Sequence, residues 1–201
     1  MYSAGDIQIR LGAALDPSPS VELPPDTRAA AVLIPVLGAT PETRLVFTRR
    51  TDTLSRHAGE ISFPGGLAEG DESPADTALR ETEEELGLAP ADVELVGALT
   101  PVHTRVTGLL IVPFVGILWR DPRFTPNAAE IAEVLEFPLA DLIAKRRERE
   151  FLWEGRTFVT DVFDMNGSVI WGATGHILRM FLQALGVGAD SEPDEERRGL
   201  G

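Results

Sequence analysis

Residues 66–88 read GLAEGDESPADTALRETEEELGL, and this stretch is the most informative part of the chain. Ser73 is a favoured N-cap residue, and Pro74 suits the first position of a helix, where a backbone N–H would have no partner. Gly87 is a favoured C′ residue, because glycine readily adopts the left-handed conformation that ends many helices. These signals predict one helix over residues 74–86.

The predicted helix carries an excess of acidic side chains. Glu81, Glu84 and Glu85 are spaced i, i+3 and i+4, so their carboxylates lie on one face. Such a cluster is ordinarily a solvated surface, but a stable exposed helix pairs most acids with Lys or Arg, and this helix offers Arg80 alone. Because like charges at these spacings repel, and because Mg²⁺ and Mn²⁺ prefer oxygen ligands, this face favours a divalent metal site.

The spacing of the whole stretch is itself informative. It fits the pattern G-x5-E-x7-R-E-U-x-E-E-x-G-U, in which U is aliphatic, at every fixed position, and it departs at Thr82, which occupies the first U. This pattern is the Nudix box, so the chain resembles the Nudix hydrolases. The resemblance implies an α/β fold, namely an α/β/α sandwich with a mixed β-sheet. It also implies an enzyme that cleaves a pyrophosphate joined to an organic group, with Mg²⁺ or Mn²⁺ as cofactor.

The resemblance assigns roles to the carboxylates of the box. Glu81 and Glu85 are the first candidates for metal ligands and Glu84 is the next, while a backbone carbonyl at Gly65 or Gly66 can be a further ligand. Bound metals neutralise the pyrophosphate and activate a water, and a carboxylate can then act as general base. Glu84 and Glu85 are the catalytic candidates within the box.

Other residues of the box are expected to hold its shape. Glu72 and Arg80 resemble an ion pair between the loop and the helix, and we assign them a structural role. We also assign a structural role to Gly66 and Gly87, which lie at the two ends of the box. Gly66 can also let the backbone approach a phosphate closely, because glycine has no Cβ.

A second motif lies immediately before the box. Residues 46–66 read VFTRRTDTLSRHAGEISFPGG, which resembles the signature L-L-T-x-R-[SA]-x3-R-x3-G-x3-F-P-G-G of the coenzyme A pyrophosphatase subgroup of the Nudix hydrolases. Among its departures from this signature, Thr51 replaces Ser or Ala, and Arg56 falls one place late. Residues 170–175, IWGATG, also resemble a segment of that subgroup.

The upstream motif brings basic side chains beside an otherwise acidic site. Arginine can bind a phosphate through two parallel hydrogen bonds, and coenzyme A carries a 3′-phosphate besides its pyrophosphate. The alternative is that the arginines balance nearby acids and that the histidines are plain loop or turn residues. The candidates for substrate binding are Arg49, Arg50, Arg56, His57, Gly66 and His103.

Two acids outside the box are further catalytic candidates. Glu130 and Glu133 follow a loop over residues 121–127 that contains two prolines. In Nudix hydrolases a glutamate after such a loop can act as a base or supply a metal ligand, so Glu130 is the first candidate and Glu133 the second. The alternative is that both are exposed acids near the start of a strand.

Length and composition limit the class of protein. The chain has 201 residues, 43% of them hydrophobic, and a net charge of −14, which suits one globular domain and disfavours nucleic-acid binding. It has no cysteine, which excludes disulfides and thiolate zinc sites. We recognise no membrane span and no signal peptide, and therefore expect a cytoplasmic protein that acts on a small molecule. The sequence leaves its oligomeric state open.

The chain divides by composition into three parts. We expect an N-terminal lead-in at 1–28, a Nudix hydrolase domain at 29–185 and a disordered tail at 186–201, which is rich in Gly, acids and Arg. Hydrophobic periodicity predicts the secondary structure. The predicted strands are 30–36, 45–49, 93–100, 109–119, 133–137, 157–163 and 168–171, the last two forming a hairpin around Asn166 and Gly167, and the predicted helices are 6–14, 74–86, 138–146 and 174–185.

Together the two motifs predict a pyrophosphatase that splits coenzyme A or its derivatives. The products would be 3′,5′-ADP and 4′-phosphopantetheine, or acyl-phosphopantetheine from acyl-coenzyme A. One alternative is a broader nucleoside-diphosphate hydrolase acting on ADP-ribose, NADH or dinucleotides, for which the displaced Arg56 leaves room. A second alternative is a non-catalytic Nudix fold that senses a ligand, and the complete set of box carboxylates argues against it.

Overall fold

The computed structural model describes residues 2–16, 19, 28–51, 59–104, 108–153 and 156–187, so most of the predicted tail lies outside the described part. The helices are α1 (Ala4–Gly12), α2 (Pro74–Leu86), α3 (Leu139–Lys145) and α4 (Gly172–Ala184), with a short 3-10 turn at Pro90–Asp92. The strands are β1 (Arg28–Leu37), β2 (Arg44–Arg50), β3 (Ile61–Ser62), β4 (Gly65–Leu67), β5 (Glu94–Ala98), β6 (Val102–His103), β7 (Leu109–Leu118), β8 (Ile131–Pro138), β9 (Arg146–Trp153), β10 (Arg156–Met165) and β11 (Ser168–Ile170). Within these ranges no helix is long and apolar enough to cross a membrane.

Strands β1 and β7 form the centre of the larger sheet. They pair in parallel over their whole length, from Arg28 opposite Leu109 to Leu37 opposite Leu118. The other edge of β1 is shared by β2 and β4, which are both antiparallel to it. β2 also pairs with β3 and β8, and β7 with β5 and β6, all antiparallel. The sheet is therefore mixed, as the resemblance implies.

Different helices cover the two faces of this sheet. On β1, Leu33 packs with Ala78 of α2, whereas the next residue, Ile34, packs with Ile7 of α1 and Phe181 of α4. Successive side chains of a strand point to opposite faces, so a strand that is apolar at consecutive positions must be covered on both. The result is the predicted α/β/α sandwich, with α2 on one face and α1 and α4 on the other.

Helix α1 belongs to this core, although it precedes the predicted domain boundary. Its residues Ile7 and Leu11 are fully buried. Ser3 and Asp6 form a reciprocal capping box, in which Ser3 Oγ accepts from the Asp6 N–H at 3.2 Å and the Asp6 carboxylate accepts from the Ser3 N–H at 2.9 Å. This cap starts the helix at Ala4, earlier than the hydrophobic periodicity alone predicts.

Strands β9, β10 and β11 form a separate antiparallel sheet that packs on the same side as α4. β10 and β11 are the predicted hairpin, and its turn residues Asn166 and Gly167 have φ values of 58° and 95°. Both are positive, as a type I′ turn requires. Strand β9 is not predicted from the sequence, because its residues, RREREFLW, show no alternation of apolar and polar side chains.

Candidate active site

Helix α2 presents its carboxylates at defined positions because both of its ends are fixed. Ser73 Oγ accepts a hydrogen bond from a first-turn backbone N–H at 3.1 Å, and Gly87 ends the helix in the left-handed conformation with a φ of 67°. Glu85 then lies on the side of the helix that faces the sheet and is only 4% exposed. Glu84 lies on the outer side, with 59% of its side chain exposed.

Glu85 is a buried carboxylate that is incompletely neutralised. The Gly65 N–H donates to its Oε2 at 3.1 Å, and Arg50 Nη1 lies 3.7 Å from its Oε1. Burial, with smaller contributions from the charges of Glu81 and Glu130, raises the pKa of Glu85 to about 7 despite the opposing effects of Gly65 and Arg50. The ionised form of Glu85 is therefore destabilised when no cation is bound, and a nearby cation would stabilise it.

Glu81 lies against the glycine pair that precedes the box loop. A Cβ at residue 66 would overlap the Glu81 carboxylate, so the missing side chain of Gly66 provides the space that this carboxylate occupies. Burial raises the pKa of Glu81, while Arg80, whose Nη2 lies 3.0 Å from Oε1, opposes the rise. Gly66 thus has a steric role beside a box carboxylate, in addition to the structural role expected from the sequence.

Arg80 connects the box loop to the acidic face. Its Nε donates to Glu72 Oε1 at 2.7 Å, its Nη2 donates to the Leu67 carbonyl at 3.1 Å, and its Nη1 donates to Glu84 Oε2 at 3.1 Å. The ion pair with Arg80, followed by the hydrogen bond from the Glu69 N–H, lowers the pKa of Glu72 to about 2. Glu72 and Arg80 therefore form the loop–helix pair that the sequence predicts, and Arg80 also touches the acidic face.

The loop after β7 is attached to the end of α2 by two backbone hydrogen bonds. The Thr125 N–H donates to the Leu86 carbonyl at 2.8 Å, and the Asn127 N–H donates to the Glu85 carbonyl at 2.9 Å. The last carbonyls of a helix have no hydrogen-bond partner within the helix, and these two bonds provide one. They also bring Glu130, three residues after Asn127, towards the acidic face. Burial is the main cause of the raised pKa of Glu81 and of Glu85, and the charge of Glu130 makes a small further contribution to both.

Asn127 is a residue of this site that the sequence reasoning missed. Its Nδ2 donates to Glu130 Oε1 at 3.3 Å, and its Oδ1 accepts from the Ala129 N–H at 3.2 Å. The second contact is an Asx turn, for which an Asn after a proline is a recognisable signal. Asn127 therefore orients the glutamate that the sequence places first among the acids outside the box.

The two adjacent arginines of the upstream motif have different partners. Arg50 lies beside Glu85, as described above. Arg49 instead donates from Nε to Glu133 Oε2 at 3.0 Å and from Nη2 to Ser168 Oγ at 2.7 Å. Neighbouring residues on a strand point to opposite faces. The structure thus brings Arg50 and Glu130 to the box, and it places Arg49 and Glu133 together at the second sheet.

The remaining substrate-binding candidates are not brought to the box by the described contacts. Arg56 and His57 lie outside the described residues. His103 is exposed on β6, paired through its backbone with Leu110 of β7, and makes no hydrogen bond to a box carboxylate in the part of the chain that the structure describes. Their binding roles stay predictions from the sequence.

The side chains of Glu81 and Glu85 suit a divalent cation, both in their donor atoms and in the space beside them. Among the described residues, no three His, Asp or Glu side chains converge on a ready-made metal position. Glu81 and Glu85 nevertheless offer oxygen donors that burial destabilises as free anions, beside a glycine whose missing Cβ leaves room. These two residues, with Glu84, are the ones that could hold a divalent cation. Gly65 contributes its N–H to Glu85, and its carbonyl as a ligand stays a prediction.

The raised pKa of Glu85 predicts a pH-dependent stability of the metal-free protein. Because the folded state favours the protonated acid, Glu85 contributes stability below the ordinary glutamate pKa of 4.5, and this contribution is lost as the pH rises through its raised pKa of about 7. In EDTA, Glu85→Gln should match the wild type at pH 4.5 and exceed its free energy of unfolding at pH 8 by about 3 kcal/mol. Urea denaturation at both pH values measures this, and equal pH dependence in the two proteins would contradict it.

Comparison with known proteins supports the family that the box indicates. The family model of the NUDIX domain matches residues 27–156. "Nudix hydrolase 22, chloroplastic" of Arabidopsis thaliana is 42% identical over 161 residues, which is 75% of this chain and 53% of that protein, so the chain spans about half of its length. "Uncharacterized Nudix hydrolase NudL" of Photorhabdus laumondii is 34% identical over 190 residues, which is 93% of this chain and 100% of that protein.

Solved structures with related folds are more distant in sequence. A crystal structure of a C. elegans Ap4A hydrolase binary complex has 16% identity and a TM-score of 0.49, covering 59% of this chain and 85% of that one. The NUDIX domain of Shewanella oneidensis NrtR, complexed with ADP ribose, has 18% identity and a TM-score of 0.45, covering 66% and 83%. The family assignment rests on the domain match and the sequence relatives: the chain belongs to the Nudix hydrolase family.

Proposed function

We propose that this Nudix hydrolase is a divalent-metal-dependent pyrophosphatase for coenzyme A and its derivatives. The family implies hydrolysis of a pyrophosphate bond with divalent cations. The observation that carries the finer proposal is the position of Arg50. This residue comes from the motif that resembles the coenzyme A pyrophosphatase subgroup, and its guanidinium lies 3.7 Å from Glu85 of the box. The two motifs therefore contribute to one site.

The reaction breaks one P–O bond of the pyrophosphate. The oxygen of a water bonds to one phosphorus, the bridging oxygen leaves with the other, and the products are 3′,5′-ADP and 4′-phosphopantetheine. Divalent cations, when bound, neutralise the pyrophosphate and make the water more acidic. Glu81 and Glu85 would ligate the cation in this proposal, with Glu84 as a further ligand from the exposed side of the helix.

The protein side chains supply orientation and proton transfer. Glu130 is the proposed general base, because Asn127 fixes its carboxylate and the backbone of the same loop is bonded to the end of α2. Arg50 would be able to donate to a phosphate oxygen if a bound cation balanced the charge of Glu85. Glu84 and Glu85 remain alternative catalytic carboxylates. Glu133, which is paired with Arg49, is the least favoured.

A broader nucleoside-diphosphate hydrolase is the second candidate function. The observation that favours it is the register of Arg56, which lies one position later than the arginine of the subgroup signature. In that case Glu81, Glu85 and Glu130 would keep their roles, and only the groups that recognise the rest of the substrate would differ. The substrates would be ADP-ribose, NADH or dinucleotides.

A substrate panel tests the proposal. Purified protein with Mg²⁺ or Mn²⁺ is incubated in parallel with coenzyme A, dephospho-coenzyme A, ADP-ribose, NADH and diadenosine polyphosphate, and the products are identified by mass spectrometry. We expect selective release of 4′-phosphopantetheine from coenzyme A. Preferred cleavage of another dinucleotide would support the proposed reaction but show that coenzyme A is not the preferred substrate. No turnover of any compound would favour a ligand sensor.

Domain boundaries and location also belong to the proposal. We propose that residues 29–185 carry the hydrolase activity, with α1 as part of their packed core. The absence of cysteine motivates a cytoplasmic location. Fluorescence microscopy of the tagged chain in its own cells would test that location directly.

A further inference from the structure

Strand β9 and the residue before it carry an ordered pattern of charge. Residues 145–150 read KRRERE. Because side chains alternate along a strand, Arg147 and Arg149 share one face of β9. Lys145, the last residue of α3, adds a third cation to the same surface, since all three line one cleft. The strand therefore presents a face with charge of a single sign.

This cleft, which we name the β9 cleft, has a volume of about 420 Å³. It is open to solvent and lies between β9 and the turn that joins β10 to β11. The residues that line it are Lys145, Arg147, Arg149, Asp164, Asn166 and Gly167. In this turn Asn166 and Gly167 both take positive φ values, and the Gly167 N–H donates to Asp164 Oδ1 at 2.9 Å.

The three cations of the β9 cleft lack carboxylate partners among the described residues. Lys145 Nζ donates to Asn166 Oδ1 at 3.1 Å, and Arg147 Nη1 donates to the carbonyls of Ala144 and Arg146 at 3.0 and 2.7 Å. Arg149 forms no ion pair with any described residue. Among the described residues Asp164 is the one acid that lines the cleft, and its Oδ1 accepts from the Gly167 N–H. The cleft is therefore locally cationic in a chain of net charge −14.

On the opposite face of the same strand, an arginine is paired with an acid. Arg146 donates from Nε to Asp161 Oδ1 at 2.7 Å, so on that face the charge is neutralised within the protein. β9 lies at the edge of its sheet, where charged side chains discourage pairing with other chains. Positive and negative side chains protect an edge strand equally well, and so does a mixture of the two. This protective role does not account for three cations that lack carboxylate partners among the described residues and that line one concave surface.

The β9 cleft is linked to the active site through β2. Ser168 directly follows Gly167 of the cleft, and its Oγ accepts from Arg49 Nη2 at 2.7 Å. Arg49 precedes Arg50, which lies beside Glu85. We propose that the β9 cleft binds a phosphate-bearing anion at a position separate from the carboxylates of α2. Arginine can donate two parallel hydrogen bonds to a phosphate group. Arg147 uses only Nη1 in the contacts described above, and Lys145 adds a third positive charge.

Phosphate binding is tested first without turnover. Inorganic phosphate and adenosine 3′,5′-bisphosphate are titrated into the metal-free protein in EDTA at low salt, and the amide NMR signals of Asn166 and Gly167 are followed. We expect saturable shifts of these signals and an affinity that is about tenfold weaker or worse in Arg147→Gln/Arg149→Gln. The matched control is Arg28→Gln/Arg120→Gln, which removes the same charge from exposed positions elsewhere and should retain the wild-type affinity.

The outcomes of this titration separate the proposal from general electrostatics. Absence of saturable shifts at Asn166 and Gly167, or equal weakening in the two double variants, would overturn it. Because no catalysis is measured, the result is independent of the proposed reaction. Circular dichroism checks that both double variants are folded, which their exposed positions favour.

A kinetic comparison identifies the source of the phosphate. If the bound group is the 3′-phosphate of coenzyme A, Arg147→Gln/Arg149→Gln should raise KM for coenzyme A severalfold, leave KM for dephospho-coenzyme A unchanged and leave kcat unchanged. If the ligand is a separate phosphate compound, the two KM values should stay in their wild-type ratio while the NMR titration still shows binding. Both results support the β9 cleft as an anion site.

Discussion

Replacing Glu85 by Gln should lower kcat by about three powers of ten while the fold stays intact. Glu85 is the most buried of the box carboxylates, and its charge is only partly balanced by Gly65 and Arg50. Glutamine keeps the shape and can still accept from the Gly65 N–H, but it removes the negative charge that a metal requires. A loss of this size corresponds to about 4 kcal/mol of transition-state stabilisation.

The matched control for this experiment is Glu83→Gln. Glu83 lies on the same helix and is exposed, so the variant removes an equal charge from a position that does not face the site. Steady-state kinetics with Mg²⁺ and a metal-binding isotherm should show loss of both activity and metal affinity in Glu85→Gln and little change in Glu83→Gln. Wild-type kcat in Glu85→Gln would show that this carboxylate has no part in catalysis.

The helix of the box could be predicted completely because its signals are local. Ser73, Pro74 and Gly87 define both ends within the stretch itself, and the structure places the helix at the predicted residues. The i, i+3, i+4 spacing then fixes which carboxylates share a face, whatever lies around the helix. The ion pair of Glu72 with Arg80 was predictable for a different reason, because the resemblance to the Nudix box implies it.

The parts of the site that could not be predicted depend on distant contacts. Arg49 and Arg50 are adjacent, and only the packing of β2 decides which of them faces α2. The pairing of β2 with β8 also shifts register between these two residues, so alternation alone does not fix the outcome. Glu130 and Glu133 are similarly alike in sequence. Their separation follows from the hydrogen bonds that tie Asn127 to the end of α2, which join residues far apart in the chain.

The site therefore combines residues from four segments of the chain. β2 supplies Arg50, β4 supplies Gly65, α2 supplies the carboxylates, and the loop after β7 supplies Glu130. In the structure, arginines contact Glu81, Glu84 and Glu85, so the metal-free protein already offsets part of its acidic charge. A divalent cation would compete with Arg50 and Arg80 for these carboxylates, which would leave both guanidinium groups able to donate to a phosphate.

The second large effect is expected on stability, from Asp161→Asn. Asp161 of β10 is 7% exposed and accepts from Arg146 Nε at 2.7 Å, while Arg179 Nε of α4 lies 3.0 Å from its other oxygen. Removing the charge leaves two partly buried guanidinium groups without their counter-charge. Breaking a buried ion pair on one side costs about 3–5 kcal/mol. Since both arginines are about a quarter exposed, we expect about 2–4 kcal/mol here.

This loss would appear as a lower melting temperature, because each kcal/mol shifts Tm by about 2–4 °C in a chain of this length. Differential scanning calorimetry should therefore show a decrease of about 5–15 °C for Asp161→Asn. The control is Glu148→Gln, which changes the exposed β9 residue directly opposite Asp161 in the register and should leave Tm nearly unchanged. A similar Tm in all three proteins would mean that the two arginines do not depend on Asp161. The attachment of α4 to the second sheet would then rest on apolar packing alone.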